Sequence, residues 1–240
     1  MDTLRIAKKQ ALTVAHRGLS ALERENSIAA FVAAGQRSYF GIETDVHKTK
    51  DGAFILIHDN NTSRVSPSNL NVEESTLEEL SHVRLYGYDG KTIRADHAIP
   101  MLHDYIAICR HYDKTAVLEL KSDFSVDELQ QICQEMDEGN YLDRVVFIAF
   151  NYGNLLRLRE FAPDQPAQFL MSAGNPKELI DMAKSAKLDL DVHYAMIDKD
   201  FVDACHQNGI KVNVWTVDDP EVAARVIDAG VDFITTNRLE

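Results

Sequence analysis

Apolar, β-favouring runs and amphipathic helical stretches alternate along almost the whole sequence, and that alternation limits the fold more than any single motif. The β-type units are 12–16, 41–47, 115–120, 144–150, 167–171, 188–192, 210–216 and 232–236. Helical patterns fall at 26–35, 125–136, 152–161, 176–186, 198–208 and 219–229, with Asn26 or Ser27 able to cap the first and Gly35 to end it. Strand–helix alternation implies parallel strands joined by right-handed crossovers. Eight such units in 240 residues predict an α/β fold, a (β/α)8 barrel, as one domain over 1–240. A doubly wound open sheet is the competing arrangement, but neither glycine fingerprint for nucleotides occurs. At 45% hydrophobic and 26% charged residues, the chain has enough apolar side chains for a core of that size.

One stretch carries more chemistry than a strand needs. In "GIETDVHKTKDGAFILIHD", residues 41–59, Glu43, Asp45 and His47 take alternate positions and so share a face. Neighbours on one face lie roughly 6.5 Å apart, close enough for two ionised carboxylates to repel. Asp51-Gly52 reads as a two-residue hairpin loop returning along 53–57. That register sets His47 opposite Leu56 and brings His58 opposite Asp45. Residues 60–100 interrupt the alternation with a long insertion that includes a helical pattern, "LEELSHVRLYG".

Other polar residues sit at the ends of other predicted strands: His16 and Arg17 after the first, Glu119 and Lys121 at the third, Trp215 at the seventh and His193 at the sixth. In a barrel these ends converge on one rim. Three carboxylates around one point suit a hard divalent cation, Mg2+ or Ca2+, rather than zinc. Arg17 as a planar fork and Lys121 as a point charge suit a phosphate, and His16 with His58 suit acid–base work near neutral pH. The net charge of −13 argues against nucleic acid as a partner, so an anionic ligand needs such local cations. Cys109, Cys133 and Cys205 are widely spaced in helix-like contexts and read as reduced core thiols. No signal-peptide pattern or membrane-spanning run is seen, which predicts a cytoplasmic protein without stable membrane insertion. His82, His97, His103, His111 and His206 read as surface residues, and "VEESTLEEL" as a solvated helix face.

The motifs "AHRG", "ENSIAAF", "GIETDVHKTKDGAFILIHD", "SRVS", "IPMLHDYI", "LELK", "VWTVDD" and "DFITTNR" together resemble the glycerophosphodiester phosphodiesterase family, from about residue 12 to 238. The resemblance implies a metal-dependent barrel that cleaves small glycerophosphodiesters, such as glycerophosphocholine or glycerophosphoethanolamine, to sn-glycerol 3-phosphate and an alcohol. It implies His16 and His58 as the catalytic pair, and Glu43, Asp45 and Glu119 as ligands of one cation, with Mn2+ a further option. Arg17 and Lys121 match basic positions at the phosphate, and Trp215 an aromatic wall. Arg24, Ser27, Thr62, His103 and Asp104 depart from the family pattern outside this set. A lysophospholipase D-like activity on lipids and a silent binding barrel are the alternative functions. The residues do not choose between water and the glycerol 2-hydroxyl as nucleophile, nor assign acid and base, nor separate monomer from homodimer.

Overall fold

The structure, a computed structural model, describes residues 2–137 and 140–240; Met1, Glu138 and Gly139 of the expected 1–240 unit lie outside the described residues. In chain order the elements are β1 (Leu12–Ala15), α1 (Ile28–Gly35), β2 (Gly41–Lys48), β3 (Phe54–Leu56), α2 (Leu77–Ser81), β4 (Arg84–Tyr86), β5 (Ile93–Ala98), α3 (Leu102–His111), β6 (Thr115–Leu120) and α4 (Val126–Met136). They continue with β7 (Val145–Ala149), α5 (Tyr152–Phe161), β8 (Ala167–Met171), α6 (Pro176–Ser185), β9 (Asp189–His193), α7 (Lys199–Gln207), β10 (Val212–Trp215), α8 (Pro220–Ala229) and β11 (Phe233–Thr236). Strands pair in the order β1-β11-β10-β9-β8-β7-β6-β2, and β1 also pairs with β2, so eight strands close into a ring. Every pairing in the ring is parallel, with helices between consecutive strands, as the (β/α)8 reading expects.

Side-chain alternation builds the core in shells. Outward residues such as Ile42, Leu118, Phe147, Leu190 and Val214 are buried against the helices. Inside the ring, Val14, Val117, Ile148 and Leu170 form a small separate cluster. Gln168 and Asn213, hydrogen-bonded to each other, lie beside it inside the barrel, and Asp45 and Glu119 lie further towards the C-terminal strand ends. The helices begin where the sequence places caps: Ser27 accepts from the Ala30 N–H, and Asp198 from Phe201.

Three details differ from expectation. The β2–β3 register pairs His47 with Ile55 and Lys48 with Phe54, one residue away from the predicted pairing. Lys50, Asp51 and Gly52 form a three-residue turn, closed by the Thr49 N–H donating to the Ala53 carbonyl at 2.8 Å, with Gly52 at φ 85°; a glycine in the left-handed region suits the three-residue loop better than the two-residue one. The register then sends Phe54 and Leu56 to the main core but Ile55 and Ile57 to a second cluster with Val65, Val72, Leu80 and Leu85. The insertion thus has its own apolar contacts on the hairpin. Its helical pattern is a helix only over Leu77–Ser81; β4 follows and pairs antiparallel with β5, with Leu85 buried in the cluster on Ile55 and Ile57. His97, expected at the surface, is buried on β5.

Two glycines with positive φ separate strain from crowding. At Gly18 (φ 74°) a Cβ would meet the Ala30 backbone at 2.7 Å, whereas at Gly52 it would meet nothing within 4 Å. Gly18→Ala is expected to cost about 3 kcal/mol or more and Gly52→Ala about 1 kcal/mol, read from urea unfolding. Equal costs would contradict this geometry.

Candidate functional site

Glu43 and Asp45 lie on β2 and Glu119 on the adjacent β6, where Asp45 and Glu119 are direct register partners. All three carboxylates are buried, and one oxygen from each lies within 4.8 Å of the others. Parallel pairing in this register forces the crowding, since all three positions point into the ring.

The surroundings divide the charge unevenly. Asp45 has Arg17 Nε at 3.6 Å and Lys121 Nζ at 3.7 Å, and its Oδ2 accepts from the Asn26 amide at 2.7 Å. Burial works against its charge, but Arg17, Lys121 and His58 outweigh that and hold its pKa below the usual carboxylate range. Glu43 is pushed well above that range by burial, then by Asp45 and Glu119. Burial and Asp45 raise Glu119 to about 8, even though Lys121 Nζ stands 3.0 Å from its Oε1. Asp45 Oδ1 is buried and makes no hydrogen bond within the protein. Three hard oxygen donors, two of them with pKa values raised by burial and by their acidic neighbours, and one orphaned oxygen fit a divalent cation.

The turn after β1 is pinned on this cluster. The Arg17 N–H donates to Glu43 Oε2 at 2.7 Å and the Gly18 N–H to the Glu43 carbonyl at 3.1 Å. Arg17 itself adopts φ 53°, a strained conformation for a non-glycine residue that the surrounding bonds hold in place. His16 Nδ1 lies 2.8 Å from Asn237 Oδ1, and the Asn237 amide donates to Asp218 Oδ2 at 2.5 Å. That orientation of Asn237 makes Nδ1 the protonated nitrogen and leaves Nε2 as an acceptor. Burial, then Arg17, lowers the His16 pKa to about 4.

His58 does not stand opposite Asp45 on a strand, as the predicted register had it. It lies two residues past β3, where His47 Nε2 donates to its carbonyl at 3.2 Å and Asp59 accepts from its Nδ1 at 2.6 Å. Its ring still lines the same cavity as His16, Arg17, Glu43 and Glu119. Burial leads the lowering of its pKa, opposed by Asp45. Asp59 pairs with Arg64 at 2.5 Å, Arg64 with Glu25 at 2.7 Å, and Glu25 with Arg17 at 2.9 Å. A chain of ion pairs from the insertion therefore joins the His58 side of the cavity to the Arg17 side.

Ile148, Phe150, Leu170 and Trp215 form the other wall. Trp215 meets Phe150 edge-on at 5.6 Å and His193 at 5.5 Å. All eight expected site residues, His16, Arg17, Glu43, Asp45, His58, Glu119, Lys121 and Trp215, thus belong to one end of the barrel. The sequence alone gives no role to Glu25, Asp59, Arg64, Asp218, Asn237 or Asp191, and Asn26, a candidate helix cap there, instead donates to Asp45 while Ser27 caps α1. Asp191 had a legible signal: in "LDLDV" acids alternate with apolar residues, as in "IETDV". Of the departures from the family pattern, Arg24 ties the insertion to the rim by donating to the Tyr86 and Gly87 carbonyls, and Ser27 caps α1.

Comparison with known proteins follows the same lines. The sequence profile of the glycerophosphoryl diester phosphodiesterase family matches residues 16–240. A glycerophosphodiester phosphodiesterase from Caldanaerobacter subterraneus is 32% identical over 232 residues, covering 95% of this chain and 94% of the relative. A crystal structure of a glycerophosphodiester phosphodiesterase from Parabacteroides distasonis superposes with TM-score 0.79 at 26% identity, over 96% of this chain and 94% of that one. The fold is shared with an Oleispira antarctica phosphodiesterase solved in complex with its product sn-glycerol-3-phosphate, at TM-score 0.85 and 24% identity, covering 95% and 93% of the two chains.

Crowding of acids has a pH signature in metal-free protein. Because the folded-state pKa of Glu119 is raised, the folded chain keeps a proton that the unfolded chain sheds. Stability from this group is present below about pH 4.5 and is lost as pH climbs towards 8. In EDTA, wild type should lose about 2–4 kcal/mol relative to Glu119→Gln between pH 5 and 8, by urea unfolding. A gap that stays constant with pH would contradict the assignment.

Proposed function

This chain belongs to the glycerophosphoryl diester phosphodiesterase family and is a phosphoric diester hydrolase, and from that premise we propose that it hydrolyses small glycerophosphodiesters, such as glycerophosphocholine or glycerophosphoethanolamine, to sn-glycerol 3-phosphate and an alcohol. The observation that carries the reading is the meeting of three acids, two histidines and two cations at one rim. The product named in the Oleispira antarctica complex is the one this reaction yields.

Glu43, Asp45 and Glu119 would hold one divalent cation, Mg2+, Ca2+ or Mn2+. When bound, such a cation supplies Lewis-acid polarisation of a phosphoryl oxygen. The rest of the reaction is assigned to side chains. Arg17 and Lys121 face the charge that grows on the phosphoryl oxygens, the first as a fork and the second as a point charge. His16 and His58 each have Nδ1 tied to a fixed acceptor, Asn237 and Asp59. Each is left with Nε2 to take a proton from the nucleophile or give one to the leaving alcohol. Trp215 and Phe150 give that side of the cavity an apolar, aromatic lining. Three buried, free cysteines, Cys109, Cys133 and Cys205, fit a reducing compartment, and the protein is proposed to work in the cytoplasm as a monomer or homodimer. Among the described residues no helix is long and apolar enough to cross a membrane.

A coupled assay for sn-glycerol 3-phosphate with glycerophosphocholine and glycerophosphoethanolamine tests the reading. EDTA should abolish turnover and Mg2+, Ca2+ or Mn2+ should restore it. His16→Ala and His58→Ala should each lower kcat by about 100-fold or more without loss of fold. Absence of turnover with every metal, or near-normal rates in both variants, would refute it.

A further inference from the structure

Several buried polar atoms make no hydrogen bond within the protein, and three of them belong to the candidate site: Arg17 Nε, Asp45 Oδ1 and Asp191 Oδ1. The first two face the cluster of acids and cations. Asp191 is left without a task. It is 1% exposed, yet it lines the same cavity as His16, His58 and Glu119.

Its position in the ring is informative. β9 lies directly across from β2: β8, β7 and β6 intervene on one side, and β10, β11 and β1 on the other. Leu190 and Val192, on either side of Asp191 in sequence, are buried in the outer core, so Asp191 points inward. Its register partners do not satisfy it. Leu170 on β8 is apolar. Asn213 on β10 is committed elsewhere, donating from its amide to Gln168 Oε1 at 3.2 Å and accepting from the Thr235 hydroxyl at 3.2 Å. Trp215 Nε1 donates to the Asp191 carbonyl at 3.2 Å, which fixes the backbone and leaves the carboxyl alone. A carboxyl held rigidly in an otherwise apolar wall, unpartnered and facing a cavity, is built to receive a polar group that arrives with the ligand.

We propose that Asp191 reads the terminal hydroxyl of the substrate's glycerol moiety across the cavity from the phosphate-binding side, and so sets specificity for glycerol over other alcohols. This rests on the function proposed above. With the phosphoryl group between Arg17, Lys121 and the three acids, the glycerol chain has the β9 side open to it. The hydroxyl farthest from phosphorus is the group that reaches Asp191. Burial, then the charge of Glu119, also raises the Asp191 pKa well above the carboxylate range, and a protonated carboxyl can both donate to and accept from a hydroxyl.

The test compares glycerophosphocholine with 2-hydroxypropyl phosphocholine, which keeps the hydroxyl next to the phosphate-bearing carbon and lacks only the terminal one. Choline carries no hydroxyl of its own, so the difference reports on glycerol. Wild type should favour glycerophosphocholine by about 100-fold or more in kcat/KM. Asp191→Leu, similar in volume, should bring that ratio to within about threefold by losing rate on glycerophosphocholine alone, while Asp191→Asn keeps most of the preference. If thermal melting shows that Asp191→Leu does not fold, Asp191→Ala supplies the same ratio. A preference that survives in the Leu or Ala variant, equal losses on both diesters, or a wild type with no preference would overturn the assignment. Wild type that turns over neither diester, with metal supplied, would overturn the proposed function and this inference with it.

Discussion

Three carboxylates confined to one pocket of a protein interior are the constraint around which this end of the barrel is built. Like charges at that distance cannot all be ionised without compensation, and burial worsens the conflict. The protein answers with Arg17 and the Asn26 amide at Asp45, and with Lys121, which is shared between Asp45 and Glu119. Glu43 and Glu119 receive too little, and their carboxyls hold protons well above the normal range. The pocket is therefore short of positive charge, a deficit that a divalent cation would make up.

Much of the local backbone follows from that requirement. Glu43 takes both an Arg17 and a Gly18 backbone N–H, so the turn after β1 must curl into left-handed conformations at two successive residues. That curl brings the Arg17 guanidinium over Asp45 and His16 beside Asn237. It also fits only because Gly18 lies against the Ala30 backbone, at the start of α1. Opposite, His47 on β2 holds the His58 carbonyl and Asp59 holds its ring, while Arg64 of the insertion braces Asp59 and Glu25. The insertion's own apolar cluster on Ile55 and Ile57 gives that side a firm base. The two histidines thus come from opposite sides of the cavity, and the Asp59–Arg64–Glu25–Arg17 ion pairs tie those sides together.

The sequence made the ring and the acids easy to read, for one reason: period-two alternation is a strong signal when polar residues break an apolar strand. Glu43, Asp45 and Glu119 follow from it, and Asp191 carries the same mark in "LDLDV". The hairpin register was missed because Asp51-Gly52 suits two turn lengths, and only packing of Ile55 and Ile57 against the insertion selects the longer one. The β4–β5 hairpin was missed because its first strand follows a capped helical turn without a break. Glu25, Arg64, Asp218 and Asn237 stand in the quoted motifs, but their contacts join residues far apart in sequence, so the motifs alone do not give their partners. His97 shows the limit from the other side: its residue type favours the surface, while its place on β5 buries it.

The most direct measurement is the effect of Mg2+, Ca2+ and Mn2+ on thermal stability at pH 7, after EDTA treatment, in wild type and Glu43→Gln. Cations that relieve carboxylate repulsion must stabilise the wild-type fold in a saturable, concentration-dependent way. The account predicts a clear rise in Tm for wild type and little or none for Glu43→Gln, which has one ligand fewer and less repulsion to relieve. An equal rise in both proteins would place the cation elsewhere and contradict the account at its centre.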